Sequence, residues 1–276
     1  MKGINRLDPQ QAQEPSLIYQ PLFCHSSHPT KNMPPHPKAI ASYHGRTFQL
    51  IGAATFRSFR CLWMLEELGI PYQHIPAMPQ GKAIRASNPL GKVPALIERS
   101  SSDQQMYFSM YESAAINTYL GDLVRTIDGS SSTDLIPPVG TPLRGLYEQT
   151  ISCIGCELDS QGLWIHRKHE SLGQHFGFIP EAVQHAKQQF ERVNTVLAQQ
   201  VQSNPDQYLV GSNFTAADIL YVHCLGWSKS IGWDDQWKDD EVLCEYFAKC
   251  TKRPAYQKVH AIRKEEAELM KRNAKL

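Results

Sequence analysis

"NPLGKVPALIE", Asn88 to Glu98, joins turn chemistry (Asn-Pro, then Gly-Lys) to the apolar run of a strand, with Val93-Pro94 at the junction. Proline cannot donate to a sheet ladder, so it belongs at the first residue of a strand, on an edge or at a bulge. Pro94 therefore marks a place where the backbone entering the strand serves something other than sheet pairing.

Working outward, "TFQLIGA" (residues 47–53) reads as a strand and "RSFRCLWMLEELGI" (57–70) as a helix ended by Gly69 and Pro71. "PYQHIPA" is a second short strand, parallel to the first through the helix. After the quoted loop come a polar turn, "RSSSDQQ", the strand "MYFSM" and a helix starting near Glu112, "ESAAINTYLG". The strands flanking the serine-rich turn form a hairpin. The expected unit, residues 46–121, is a mixed sheet in the order β-α-β then β-β-α.

Residues 122–141 break both periodicities with Ser, Gly and Pro and read as a linker. Beyond them lies an expected all-helical domain, residues 142–276, with helices at Leu143–His169, Pro180–Gln202, Thr215–Ser230, Glu241–Cys250 and Pro254–Asn273. "FTAADI" places Thr215 at an N-cap with Asp218 three residues on, a capping box with Asp in the usual Glu/Gln place and Phe214 as its staple. Pro254 suits a first helical turn. Residues 1–45, rich in Pro, Gln, His and Ser without apolar period, read as a disordered extension.

The chain has 276 residues, 41% hydrophobic and 20% charged, with a net charge of +1. That charge offers no field for nucleic acid, and no apolar run approaches the roughly 18 residues of a membrane span. Seven scattered cysteines, an odd number, point to reduced thiols and a cytoplasmic protein. Organelle targeting stays open, since no acidic residue lies between Glu14 and Glu66, although arginine is scarce there and proline frequent. Cys153, Cys156, His166 and His169 superficially suggest zinc, but the histidines are separated by two residues instead of three to five and fall in an expected helix, so no metal is expected. The run His166 to His169 reads as a solvated helix end.

In combination, "LWMLEELGIPY", "NPLGKVPALIE", "YESAAI", "FTAADI" and "RPAYQKV" resemble the cytosolic glutathione transferases, from about Thr47 to the end of the chain. The resemblance implies a thioredoxin-like α/β domain that binds glutathione, followed by an all-α domain that supplies most of the second-substrate pocket. It implies a cis peptide before Pro94, with Val93 offering its backbone N–H and C=O to the cysteinyl part of glutathione. Glu112 would pair with the γ-glutamyl ammonium and Ser113, opening a helix, would hold the carboxylate. Lys92, with Lys82 as a second candidate, would meet the glycyl carboxylate. Trp164, Phe176 and Phe178 would line the acceptor pocket.

Conjugation needs the thiolate, and a thiol pKa near 8.5 lowered by about two units requires roughly 2.7 kcal/mol of anion stabilisation. One donor with a helix N-terminus is of that size. Tyrosine-type members carry the donor near the end of the first strand, where this chain has Leu50, Ile51 and Gly52. Serine-type members place a hydroxyl four or five residues before the position of Arg60, here Phe56 and Thr55. Thr55 is therefore the first candidate and Ser58 the alternative, with backbone N–H groups or Arg57 as the remaining choices. Cys61 reads as a buried structural thiol. The resemblance further implies a homodimer and a role in detoxification, by transfer of glutathione to a small apolar electrophile or by peroxidase, isomerase or lyase chemistry on the same site. A non-catalytic ligand carrier or interaction scaffold is the rival, supported by Phe56 at a usual hydroxyl position.

Overall fold

The computed structural model describes residues 41–129 and 135–273. Most of the expected extension, residues 1–40, thus lies outside the described residues. Strand β1, Arg46–Ile51, places Phe48 and Leu50 on a fully buried face. It pairs in parallel with β2, Tyr72–Ile75, and antiparallel with β3, Ala95–Ser100, which pairs in turn with β4, Met106–Tyr111. The strand order is β2-β1-β3-β4, with the expected parallel pair and hairpin joined through the antiparallel contact of β1 and β3.

Helix α1, Ser58–Leu68, makes the parallel crossover and stops at Gly69, whose φ of 65° is left-handed. A four-residue helix α2, Lys82–Arg85, is too short for its period to show in sequence. Helix α3, Ser113–Asp128, corrects the linker expectation: residues 122–128 are helical because Leu123 and Val124 continue the buried stripe of Ile116 and Leu120. Gly121 within it lets Ile136 pack close, since a Cβ there would stand 2.2 Å from Ile136 Cγ1.

The segment expected as one helix over Leu143–His169 changes its winding. Helix α4, Pro142–Cys153, runs into π-wound turns at Ile154–Leu163, then α5, Trp164–His166, then π-wound turns at Arg167–Ser171. Wider turns shift the phase of every later side chain, and the shift carries Asp159 with Leu158 and Leu163 to the buried side.

Helices α6 (Gly173–Phe176), α7 (Pro180–Ser203), α8 (Ala216–Ser230), α9 (Glu241–Thr251) and α10 (Pro254–Asn273) complete the helical region. At the start of α8 the Thr215 N–H and hydroxyl donate to Asp218 Oδ2 at 2.8 and 2.9 Å, while Oδ1 takes the Leu209 N–H and the Tyr246 hydroxyl. Phe214 packs on Trp63 and Tyr208, joining the helical region to α1. One apolar core runs from Phe48 of β1 to Val259 of α10, with Trp63 wholly enclosed. The sheet's end is consequently held against helices from both halves of the chain.

Candidate functional site

Register builds the site. The last pairs at one end of the sheet are Ile51 with Ala95 and Ala95 with Tyr111. Continuing them by two residues sets Ala53, Val93 and Ser113 side by side. The approach is close at Gly52, where an added Cβ would lie 2.8 Å from Val93 Cβ.

The Val93-Pro94 peptide is cis, and among the described residues the Val93 backbone makes no hydrogen bond. Its loop is shaped by buried Asn88, whose amide donates to Lys92 O at 2.8 Å and whose oxygen takes the Leu90 N–H at 3.0 Å. Lys92 and Lys82 are both exposed. Across the sheet end, Glu112 holds φ 73° and ψ 111°, a positive φ that costs a non-glycine residue about 1–3 kcal/mol and tends to persist where function needs it. Its exposed side chain stands at the head of α3, where the N–H groups of the first turn have no carbonyl ahead of them. Ser113 is buried, its hydroxyl facing Arg60 at 3.4 Å.

Between β1 and α1 the two hydroxyl candidates separate. Ser58 is fully buried with no hydrogen-bond partner for its hydroxyl among the described residues, and its Oγ stands 2.2 Å from where a Gly52 Cβ would lie. Thr55 is half-buried at the surface of the loop, 3.9 Å from the Met270 sulfur. Helix α10 also brings Glu266 onto this loop: the Ala54 N–H donates to its Oε2 at 2.6 Å, and His74 Nδ1 lies 3.4 Å from its Oε1. The other ring nitrogen of His74 donates to Gly52 O at 2.9 Å.

Arg57, just beyond Phe56, is locked in place. Its Nε donates to Asp159 Oδ2 at 2.8 Å and a terminal nitrogen to Oδ1, while the guanidinium lies between the rings of Trp164 and Trp227 at 5.5 and 5.1 Å. Asp159 also takes Arg60 at 2.7 Å, and Arg60 reaches His223 and the Cys224 sulfur at 3.2 Å each. Burial works against the charge of Arg57, but the Asp159 carboxylate outweighs it and raises the pKa. Burial would likewise raise the Asp159 carboxyl, yet the charges of Arg60 and Arg57 hold it well below the usual carboxylate range. Burial pushes the Cys61 thiol far up and the Cys224 thiol up to about 12, so neither supplies a thiolate near neutrality.

Residues 56–126 match the sequence family described as "Glutathione S-transferase, N-terminal domain". No curated protein sequence matches the chain. Solved structures do. Glutathione transferase URE2P8 from Phanerochaete chrysosporium, with oxidized glutathione, is similar at 22% identity and a TM-score of 0.65, over 82% of this chain and 98% of that one. Glutathione transferase F7 from Populus trichocarpa is similar at 16% identity and 0.65, over 79% and 99%. Ure2p5 from Phanerochaete chrysosporium, cocrystallized with 1-(S-glutathionyl)-2,4-dinitrobenzene, is similar at 18% and 0.65, over 83% and 99%. The chain has the glutathione transferase fold.

Within that fold the sheet end brings Val93, Pro94, Glu112 and Ser113 together, residues read from motifs far apart in sequence, while Thr55 lies on the loop after β1 near Met270. Trp164 joins them through Arg57. Phe176 and Phe178 stand 49% and 67% exposed, one beside Lys168 and the other over Gly173. The run from His166 to His169 is not a solvated end either, because His166 is buried against Trp233 and Arg167 packs over the Phe56 ring at 5.2 Å. Among the described residues no cluster of three or more His, Cys, Asp or Glu side chains is placed to hold a metal, and no helix is long and apolar enough to cross a membrane. Asp159, Trp227, Arg167, Glu266 and Met270 escaped sequence reading. None sits in a family motif, and Arg167 was read only as part of a solvated helix end.

Proposed function

We propose that the protein binds glutathione at this sheet end and transfers its sulfur to an electrophilic carbon. The observation that carries the reading is the Val93 backbone, unpaired ahead of Pro94 and opposite the α3 head with its positive-φ Glu112. Val93 would pair with the cysteinyl peptide, Glu112 with the γ-glutamyl ammonium, the α3 N–H groups and Ser113 with its carboxylate, and Lys92 with the glycyl carboxylate. Thr55 would donate to the thiolate. The thiol proton leaves to solvent, the sulfur lone pair forms an S–C bond at the acceptor, and the displaced group departs with its bonding electrons. Residues 46–121 are the proposed glutathione-binding domain and the following helices the acceptor side. A homodimer in the cytoplasm, acting in detoxification, completes the proposal, and the mass of the protein in solution tests the dimer.

Ultraviolet titration of bound glutathione reads thiolate formation directly. Thr55→Ala is expected to raise the thiol pKa by about one unit, the loss of one hydrogen bond to a charged group. Ser58→Ala is expected to leave the pKa unchanged and to cost no stability, because its buried hydroxyl has no partner to lose. The opposite assignment of the two effects would move the donor to Ser58.

One observation favours a carrier instead of an enzyme: Glu266 sets a carboxylate on the Ala54 N–H, beside the place where the thiolate would form. A negative charge about 6 Å away at an effective dielectric constant of about 20 opposes a second one by roughly 3 kcal/mol. Glu266→Gln keeps an oxygen for Ala54 and removes the charge. The thiol pKa is then expected to fall by about two units, and bound glutathione that never ionises in either protein would establish the carrier.

A further inference from the structure

Three guanidinium groups converge beside the loop between β1 and α1. Arg57 and Arg60 share one buried carboxylate, Asp159. Arg167 has none: among the described residues its guanidinium makes no ion pair and no hydrogen bond, and it lies over the face of Phe56. Trp164 and Arg167 are three residues apart on one helical stretch, so they project to the same side. Trp164 lies on Arg57 and Arg167 on Phe56, its chain neighbour, which brings the two cations together. Burial lowers the Arg167 pKa and repulsion from Arg57 lowers it further, as expected for two like charges without enough counter-charge.

We infer that Arg167, with Arg57 beside it, forms an anion subsite for the acceptor, and that the acceptor is a carboxylate-bearing apolar or aromatic electrophile whose body lies against Trp164 and Phe56. Half-buried guanidinium groups with free donors match a carboxylate in charge and in fork geometry. The indole and phenyl walls match a flat apolar body. The inference deepens the transferase reading and rests on it for the word acceptor, whereas the anion site stands on the arginines.

The test is binding, read without turnover. Trp164 and Trp227 are partly exposed at the site and the other tryptophans, Trp63, Trp233 and Trp237, are buried, so quenching of indole fluorescence by a nitroaromatic reports this cleft. The full chain is titrated with 4-nitrobenzoate and with its neutral counterpart 4-nitrobenzamide. Nitrobenzoate is expected to bind about tenfold or more tightly, Arg167→Gln to erase the preference and Arg167→Lys to retain part of it, with melting temperatures confirming that both variants fold. Equal binding of the two probes, or a preference untouched in Arg167→Gln, overturns the inference. So does glutathione that displaces nitrobenzoate competitively and weakens in Arg167→Gln by the same factor, because the guanidinium then holds glutathione's own carboxylate. Absence of glutathione binding by calorimetry, with the nitrobenzoate preference intact, removes the transferase reading and leaves the anion site supported.

Discussion

Asp159→Asn is expected to destabilise the protein by about 3–5 kcal/mol, the usual cost of removing one partner from a buried charge pair and stranding the other. Here two are stranded. Arg60 is buried with Asp159 as its only carboxylate among the described residues, and Arg57 makes a two-point contact with it. Urea unfolding reads the loss. Indole emission should change in the folded state as well, because Arg57 would no longer be fixed between Trp164 and Trp227. The pH dependence has a definite sign. Arg60 and Arg57 hold the Asp159 pKa below its unfolded value of about 3.9, so the stability it contributes is fully present above roughly pH 5 and is lost as pH falls below about 4. The Asn variant should lack that part of the acid transition. Urea midpoints that coincide for the two proteins at neutral pH would show that Asp159 does not carry the pair.

Gly52→Ala is expected to cost about 3–5 kcal/mol and to weaken glutathione binding at least tenfold. Two mechanisms act together. Gly52 has φ 133°, which side-chain-bearing residues rarely adopt, at about 1–3 kcal/mol. Its new methyl would also stand 2.2 Å from Ser58 Oγ and 2.8 Å from Val93 Cβ, and overpacking of that kind costs about 1–3 kcal/mol. The displacement of Val93 is the functional part, since its backbone is the proposed partner of the cysteinyl peptide. Adding Ser58→Ala to Gly52→Ala should recover part of the stability and little of the affinity, because it relieves the contact with Ser58 but not the one with Val93. Calorimetric glutathione affinity in the single and double variants checks this, and full recovery of affinity in the double variant would place the damage at Ser58 alone.

How far the sequence carried the argument depends on the range of the interaction being read. Strands at residues 47–53 and 106–110, the helix ending at Gly69 and the Thr215–Asp218 cap all follow from alternation, left-handed glycine and side-chain-to-backbone bonds within a few residues. Pro94 was informative for the same reason: without an N–H it cannot donate to the ladder. Leu123 and Val124 show the limit of this reading. Serine and proline further along suggested a break, but the helix continues because its stripe finds α1 to pack on, and packing outweighs local propensity.

The candidate site divides along the same line. Val93, Glu112 and Ser113 were legible because each sits beside the end of an element, and the sheet register then brings those ends together, while Thr55 was legible from its spacing to Arg60. Arg57 and Asp159 are 102 residues apart, and Ala54 and Glu266 are 212 apart. No local pattern encodes such meetings. Asp159 reaches the arginines only because π-wound turns change the phase of its helix, which a regular 3.6-residue period does not anticipate. Arg167 reads as an ordinary helix-end cation until Phe56 is seen beneath it. The sequence by itself therefore determined most of the elements, their order and the place of Pro94 at the mouth of a strand, all set by short-range sterics and capping. Only the tertiary structure decided which charges share a carboxylate, which hydroxyl stays accessible and which helix lies over the loop, because those depend on how distant segments pack.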